Sequence, residues 1–511
     1  MKIGKIKNKK LKSKTEKRNT IFSDKKAGAI TAYLLVATSV AVTLLSGLIV
    51  FVSSSQRRSS DEAARYRALN IAESGIYYYR WYLAHALDGK TAEQVADFWR
   101  SSEPLGVENK LEKNVIDFSG QTIGTYEIEV TPPDVNSTIV SVTSTGWDLR
   151  HPEIKKKVKV RFRRPSWSEY SVLGNDVMRF GDGTTTYGPV HSNNGIRFDG
   201  VANNVVTSGV ATYDDPDTKT VKPGVWTSKP NENAVFLAGK EFPVAMVDFN
   251  SVVSDLSHMR DEAQSSGVYY SGADFEKKVC SWKSGKKWCG ASNTWCQICT
   301  TEYIPVLGYH VTLRTDDKAE IRSVFDYQGN NIHEPDTYKI KDESDPEVID
   351  IPESGLMFFE RNVWVDGQIN TNKVTIVAAI VDTSEDANIY INNDVLYTNK
   401  DGRDIIGLIA ENDISVGLYS ENDLEIDAAL LAQKGRVGRD YYTQSHSSQF
   451  YVRDRITIYG SIATNKRYGF AWTDGSGYQF RDIFFDNNLV YYPPPYFPTG
   501  SVYELDMWED L

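Results

Sequence analysis

An uncharged apolar run near the N-terminus constrains the fold of this chain more than any other feature. From Ala27 to Val52 the sequence reads AGAITAYLLVATSVAVTLLSGLIVFV, 26 positions without a charged side chain. As a helix this run is about 39 Å long, which is enough to cross a bilayer with some tilt. A buried core helix is the alternative, but two lysines precede the run and Arg57 and Arg58 follow it. The run therefore predicts one transmembrane helix.

The distribution of charge predicts how that helix is oriented. Residues 1–28 carry a net charge of +9 and the whole chain carries −11, so the remainder carries −20. A basic leader stays in the cytoplasm, which sends the acidic remainder across the membrane. A cleaved signal peptide fits less well, because the apolar run is long and residues 52–55 make a poor cleavage site. An acidic body also argues against nucleic acid as a partner, since phosphate binding needs a basic face.

The residues at the start of the run resemble a prepilin cleavage site. Lys25-Lys26-Ala27-Gly28, followed by Ala29-Ile30-Thr31-Ala32, matches the basic leader that ends in glycine before the pilin helix. The resemblance implies that prepilin peptidase cuts between Gly28 and Ala29, and that the mature membrane helix runs from Ala29 to Val52. Most pilins have Glu at the fifth mature position, where this chain has Tyr33. PilX-type minor pilins and certain pseudopilins also lack it, which implies a minor or tip subunit.

The resemblance to the PilX-type family continues beyond the membrane run. Residues 59–75 end in Ala72-Glu73-Ser74-Gly75, similar to the step that follows the PilX-type membrane segment. Apolar residues then recur every three or four positions, which is one stripe of a helix: Leu69, Ala72, Ile76, Tyr79, Leu83 and Leu87. This stripe packs either on the protein's own sheet or on neighbouring subunits, and pilins do both.

The sequence after the helix predicts β-structure of two kinds. Residues 105–164 alternate apolar and polar positions, which predicts a small antiparallel sheet and a pilin-like α+β arrangement. Residues 165–500 contain short strands separated by Asn, Asp and Gly turns, in steps of about 18–25 residues and with almost no helical period. This texture favours a right-handed parallel β-helix, with a β-sandwich as the alternative. Stretches such as residues 188–195, 424–435 and 486–498 also resemble C-terminal domains attached to PilX-like N-termini.

The predicted organisation has five parts. They are a basic cytoplasmic leader (1–28), a transmembrane and amphipathic helix (29–104), a pilin-like antiparallel sheet (105–164), a β-helix-like domain (165–500) with a cysteine-rich loop (278–300), and a tail (501–511).

All four cysteines lie in that loop, at Cys280, Cys289, Cys296 and Cys299. An even number of cysteines in a segment outside the cytoplasm favours two disulfides, with three pairings open. A zinc site is the alternative because Cys296 and Cys299 have ligand spacing, although the other two cysteines are too far apart for a second close pair. The loop also carries Trp282, Trp288 and Trp295 beside several lysines. These residues either cover the disulfides or bind a glycan or another surface.

Residues suited to catalysis are scattered rather than grouped. The acidic runs 214–217 and 342–347 lack the calcium-loop pattern and are interpreted as solvated surface. Four histidines stand singly: His191, His310, His333 and His446. No nucleophile elbow, phosphate loop or zinc-protease motif occurs. We therefore expect no enzyme activity, no cofactor and no metal.

These observations together predict a minor pilin-like or pseudopilin-like protein of the bacterial cytoplasmic membrane. Its N-terminal helix would assemble with other pilin-like subunits into a type IV pilus or related filament after prepilin peptidase processing. Its β-rich body would be displayed outside the cytoplasm, on the cell surface, for adhesion or structural contact. The alternative is a membrane-anchored carbohydrate-active enzyme that uses a β-helix groove.

Overall fold

The structure is a computed structural model that describes residues 23–511, apart from residues 91, 102–103, 135–136, 250–254, 285, 290–291, 293, 330–335, 382 and 501. The leader before Ser23 lies outside the described residues. Gly28 and Ala29, where cleavage is predicted, lie within the first helix.

One long helix and a small antiparallel sheet form the N-terminal part. The helices are α1 (Ser23–Ala86) and α2 (Ala92–Ser101), and the strands are β1 (Leu111–Ile116), β2 (Thr122–Thr131), β3 (Ile139–Asp148) and β4 (Lys155–Arg163). Alternating burial along β2, β3 and β4 places Ile128, Val142 and Val160 against α1 in one hydrophobic core. The alternation in the sequence thus becomes one buried face and one solvated face.

A large all-β region, here called the body, follows β4. Its first strands are β5 (Val172–Gly174), β6 (Met178–Phe180), β7 (Thr184–Thr186), β8 (Val190–Ser192), β9 (Ile196–Phe198), β10 (Val201–Ala202), β11 (Val206–Ser208), β12 (Thr212–Asp215), β13 (Thr220–Pro223), β14 (Val225–Trp226) and β15 (Lys240–Glu241). Then come α3 (Asp255–Ser266), β16 (Val268–Tyr270), β17 (Phe275–Ser284), α4 (Lys286–Cys289), β18 (Trp295–Ile304), β19 (Gly308–Leu313), β20 (Lys318–Tyr327), β21 (Ile340–Glu343), β22 (Glu347–Asp350), β23 (Leu356–Phe359) and β24 (Asn362–Ile369). The last are β25 (Lys373–Ala378), β26 (Ile389–Tyr390), β27 (Val395–Tyr397), β28 (Ile405–Ala410), β29 (Ile414–Val416), β30 (Asp423–Ala432), β31 (Val437–Arg439), β32 (Val452–Thr464) and β33 (Gly477–Phe485).

Most body strands pair in parallel with other body strands. One series of pairs runs through β23, β25, β28, β30, β32, β5, β8 and β11. Within this series the partner residues of most pairs lie 16 (Val190 and Val206) to 32 (Lys373 and Ile405) positions apart, a wider range than the predicted 18–25. The pair of β32 with β5 is different, because Ile462 lies opposite Val172, 290 positions earlier in the chain. The alternative of a β-sandwich does not fit these pairings, because sandwich sheets are antiparallel.

Both faces of this strand series are buried, which explains its continuous apolar runs. Ile406, Leu408 and Leu430 point into the main core, and neighbouring residues such as Ile409 and Leu431 point into a second core. Helix α3 covers the second core with Leu256, Met259 and Ala263. The sequence interpretation missed this helix, although these three residues have helical spacing.

The C-terminus returns to the small sheet. Strand β34 (Glu504–Asp510) pairs antiparallel with β4, so the sheet order among the described strands is β1-β2-β3-β4-β34. The sequence predicts a tail over residues 501–511. Residues Glu504–Asp510 form an edge strand instead, because Tyr503 is buried in the core under α1 and Trp508 packs against that core. The body is therefore inserted between two strands of one sheet.

Candidate functional site in the anchor helix and the cysteine-rich hairpin

The first half of α1 is an exposed apolar rod. Every residue from 29 to 63 is exposed, and the most apolar stretch has a mean hydropathy of 2.4 with none of its residues buried. Exposed apolar side chains of this number are rare on soluble proteins, where such patches mark contact surfaces. By length and composition, this helix is able to cross a membrane.

The second half of α1 packs closely on the small sheet through small residues. Ala64, Ala68 and Ala72 are fully buried on one face of the helix. Opposite them, a Cβ added to Gly146 of β3 would lie 2.3 Å from the backbone nitrogen of Ala72. Gly75 is also enclosed, because an added Cβ would lie 2.3 Å from Ser144 Oγ. Helix and sheet backbones are thus in contact, with no space for a side chain between them.

Larger side chains continue this contact towards the C-terminal end of α1. The predicted stripe is buried in the core of the small sheet at Ile76, Tyr79 and Leu83, and Leu69 is partly buried there. The stripe therefore packs on the protein's own sheet, one of the two alternatives left open by the sequence. Arg67 of α1 also forms an ion pair with Asp148 at the end of β3. Helix and sheet form one unit with the exposed rod projecting from it.

The cysteine-rich segment, expected as a loop, is a two-stranded antiparallel hairpin of β17 and β18 joined through α4. We call residues 275–304 the disulfide hairpin. Cys280 lies directly opposite Cys299 in the register and is bonded to it, and Cys289 is bonded to Cys296. The structure thus selects one of the three pairings and uses the sulfurs that a zinc site would need. Cys296 and Cys299, which have zinc-ligand spacing, are bonded to different partners.

The disulfide hairpin exposes its aromatic side chains. Trp282 is 64 %, Trp288 49 % and Trp295 67 % exposed. The ammonium groups of Lys283 and Lys287 lie 5.8 and 5.1 Å from the Trp288 ring centroid. The tryptophans therefore do not form a cover over the disulfides, as one of the two sequence interpretations proposed. All three face solvent, and Trp288 lies beside two lysines.

One histidine in the body is held between two carboxylates. His310 Nδ1 lies 2.9 Å from Glu343 and Nε2 lies 3.1 Å from Asp366. Burial lowers the pKa of His310, but its hydrogen bonds to Asp366 and Glu343 outweigh burial and raise the pKa to about 9. A protonated imidazole donates to both partners, so this cluster joins β19, β21 and β24 as an ion pair. His191 and His446 have other partners, and His333 lies outside the described residues.

The acidic runs do not form a metal centre. In the first run, Asp217 lies 2.8 Å from Arg179 and 3.1 Å from Arg467. In the second run, Glu343 is the partner of His310. Within the described residues, no group of three or more His, Cys, Asp or Glu side chains is arranged to hold a metal ion.

Two buried carboxylates, one in β30 and one just after β33, have structural partners. Asp427 is inaccessible, and its oxygens accept hydrogen bonds from Lys400 at 2.8 Å and from the backbone of Tyr397 at 3.0 Å. Burial raises the pKa of Asp427 to about 6. Asp486 caps a short helical turn by accepting a hydrogen bond from the backbone of Asn488. Both carboxylates serve local structure in these contacts, and the absence of enzyme activity stays a prediction.

Comparison with known proteins adds a weak likeness. No family model and no curated protein matches the chain. Among solved structures, the chain is similar to the crystal structure of the competence-associated pilin ComZ from Thermus thermophilus, with 14 % sequence identity and a TM-score of 0.29. The match covers 88 % of this chain and 97 % of that chain. A TM-score this low does not establish a common fold, so the interpretation of this chain depends on its own helix, sheet and hairpin.

Proposed function

We propose that this protein is a minor pilin-like subunit of the bacterial envelope, anchored by α1 and carrying the inserted body outside the cytoplasm. The observation that carries the proposal is the division of α1 into two halves. The half from 29 to 63 is exposed and its first part is apolar, whereas the half from Ala64 onward is fixed to a sheet. A subunit built this way can lie in the membrane before assembly and among neighbouring helices afterwards.

The leader supports the same function. Its charge of +9 before an uncharged helix favours a cytoplasmic N-terminus, and the Gly28–Ala29 step resembles a prepilin site. Tyr33 stands where most pilins carry Glu, so the proposal is a minor or tip subunit rather than the main subunit of a type IV filament. The proposed partners are prepilin peptidase and other pilin-like subunits.

The proposed role of the body is display. We interpret its parallel strands as a right-handed parallel β-helix, supported by the series of parallel pairs and the core enclosed between them. Insertion between β4 and β34 attaches the body to the small sheet by two chain connections. A body attached twice is held more firmly than one on a single linker, which suits adhesion or structural contact at a surface.

This function is tested by shearing filaments from the cell surface and measuring how much of the chain is recovered with them. In cells with an active prepilin peptidase, the wild-type chain should be recovered with the filaments, and a Gly28→Leu variant should remain in the membrane fraction. Gly469→Ala is the control, because Gly469 lies in the body, outside the rod, and an added Cβ would meet nothing within 4 Å. Equal recovery of the wild type and Gly28→Leu would contradict the proposal.

A further inference from the structure

The disulfide hairpin is a basic element on an acidic protein. Residues 275–304 contain five lysines and two glutamates, a net charge of +3, and both glutamates (Glu276 and Glu302) lie at the end of the hairpin away from α4, whereas residues 29–511 together carry −20. None of the described side chains in β17, α4 and β18 is buried. Two strands of ten residues extend about 33 Å, several Debye lengths at physiological salt. Salt therefore largely screens the negative charge of the body at the end of the hairpin. The lysines there are able to attract an anion.

One face of the hairpin carries a row of exposed aromatic rings. The register places Trp282 opposite Gln297 and Trp295 opposite Ser284, so both indoles lie on the same face as diagonal neighbours. Tyr303 lies on this face as well, opposite Glu276, and is 63 % exposed. From Tyr303 to Trp295 the row is about 27 Å long. We call these three residues the aromatic row.

The Cys280–Cys299 disulfide crosses this same face between Tyr303 and the tryptophans. A two-stranded hairpin without a core is marginally stable in water, so these covalent links hold the row in place. The aromatic row is therefore held in one conformation before a ligand binds. A flexible loop would instead lose conformational entropy when binding ordered it.

We infer that the aromatic row and its flanking lysines bind an acidic polysaccharide. The faces of sugar rings carry C–H groups that pack on indole and phenol rings, whose faces are electron-rich. Lysine ammonium groups then pair with the carboxylate or sulfate groups along the polymer. This inference rests on the proposed function, because it takes the body to be displayed outside the cytoplasm and names what the displayed body binds.

The size of the surface argues against a protein partner. The row is about 27 Å long and about 10 Å wide, which gives roughly 300 Å², well below the ~800 Å² per partner that stable protein interfaces bury. A linear polymer needs only such a strip, because many weak contacts repeat along it.

The position and the number of the lysines argue against a membrane surface or nucleic acid as the partner of the hairpin. Lys286 and Lys287 lie in α4 between the two strands, so insertion of the hairpin end into lipid would bury charged groups. Five lysines can neutralise only a few phosphates, so the hairpin supplies little of the basic surface that nucleic-acid binding requires.

Binding of an alginate oligosaccharide to the full chain in detergent tests the inference. At about 0.15 M salt, calorimetry should detect alginate binding, and Trp282→Ala with Trp295→Ala should weaken it at least about tenfold. Lys278→Gln with Lys287→Gln should reduce the slope of affinity against salt, because Lys278 lies on the face of the row, opposite Thr301, and fewer counterions are released. Trp81→Ala is the matched control, since Trp81 is 54 % exposed but lies on α1. Peptide masses under non-reducing conditions show that each variant keeps both disulfides.

Three results would overturn the inference. They are no alginate binding by the wild type, equal binding by the Trp282/Trp295 variant, and binding of single-stranded DNA or phosphatidylglycerol vesicles as tight as that of alginate. Filament recovery is measured separately on the same double variant. If the wild-type chain is recovered with the filaments but does not bind alginate, the inference fails while the proposed function stands.

Discussion

Asp506 of the last strand lies 2.8 Å from Nη2 of Arg161 and 3.4 Å from Nε of Arg163, both on β4. This carboxylate therefore joins the strand that precedes the body to the strand that follows it. All three side chains are mostly buried. The contact fixes the two ends of the insertion to each other.

Replacing that carboxylate should loosen the edge of the small sheet. Asp506→Ala leaves the partly buried Arg161 guanidinium without its carboxylate partner, whereas Arg163 keeps Glu169, and this loss should lower the free energy of unfolding of the small sheet by about 1–3 kcal/mol. Hydrogen exchange of the β4 amides measures this loss. Glu509→Gln, an exposed position on the same strand, is the control. Equal protection in both variants would show that the ion pair does not hold β34.

A side chain at Gly146 should separate α1 from its sheet. In Gly146→Ala the new Cβ meets the backbone of Ala72 and Ala68, which cannot move away as a flexible side chain does. We expect a destabilisation of about 1–3 kcal/mol, measured by thermal unfolding in detergent. Gly47→Ala should leave the unfolding temperature unchanged, because nothing lies near its added Cβ. Unchanged stability of Gly146→Ala would contradict the close packing described for α1.

The His310 cluster should stabilise the body in a pH-dependent way. The pKa of His310 rises from 6.5 to about 9 on folding, so its contribution is complete below about pH 6.5 and is lost as pH rises through about 9. His310→Gln should therefore lower stability by about 1–3 kcal/mol near pH 6 and by much less near pH 10. Denaturant unfolding at the two pH values measures the difference. His446→Gln, whose ring contacts Thr443 instead of carboxylates, is the control. A loss of equal size at both pH values would mean that the cluster is not an ion pair.

The disulfides should protect the hairpin from proteolysis. Cys280→Ser with Cys299→Ser opens a loop with a sequence separation of 19, which should cost about 3 kcal/mol of local stability. Trypsin cleavage at the hairpin lysines should then be about 100-fold faster. The Cys289–Cys296 loop has a separation of only 7, so its double variant should show a smaller increase. Equal cleavage of the Cys280/Cys299 variant and the wild type would show that the hairpin is stable without this link.

Local patterns explain which parts of the structure were predictable. The spacing of Ile76, Tyr79 and Leu83 indicates the buried stripe of α1, and the alternation around Val142 indicates a strand, because both periods are properties of one short segment. The pairing of β34 with β4 is not local. Nothing within residues 504–510 indicates a partner that precedes the whole body.

The candidate site shows the same limit. Four clustered cysteines favour disulfides, but only the register that sets Cys280 opposite Cys299 selects the pairing. The aromatic row also depends on register, because Trp282 and Trp295 lie on one face only in this alignment. The contact of Gly146 with α1 requires the docked helix. Each of these features depends on how two segments are placed against each other, which neither segment indicates by itself.

The N-terminal residue of the mature protein tests the central claim most directly. Intact mass and N-terminal peptide sequencing of the chain from its native envelope would identify that residue. The account predicts a start at Ala29, with residues 1–28 removed by prepilin peptidase, and retention of residue 1 when the peptidase is blocked. A chain that starts at Met1 in cells with an active peptidase would contradict it, and α1 would then be a plain membrane anchor.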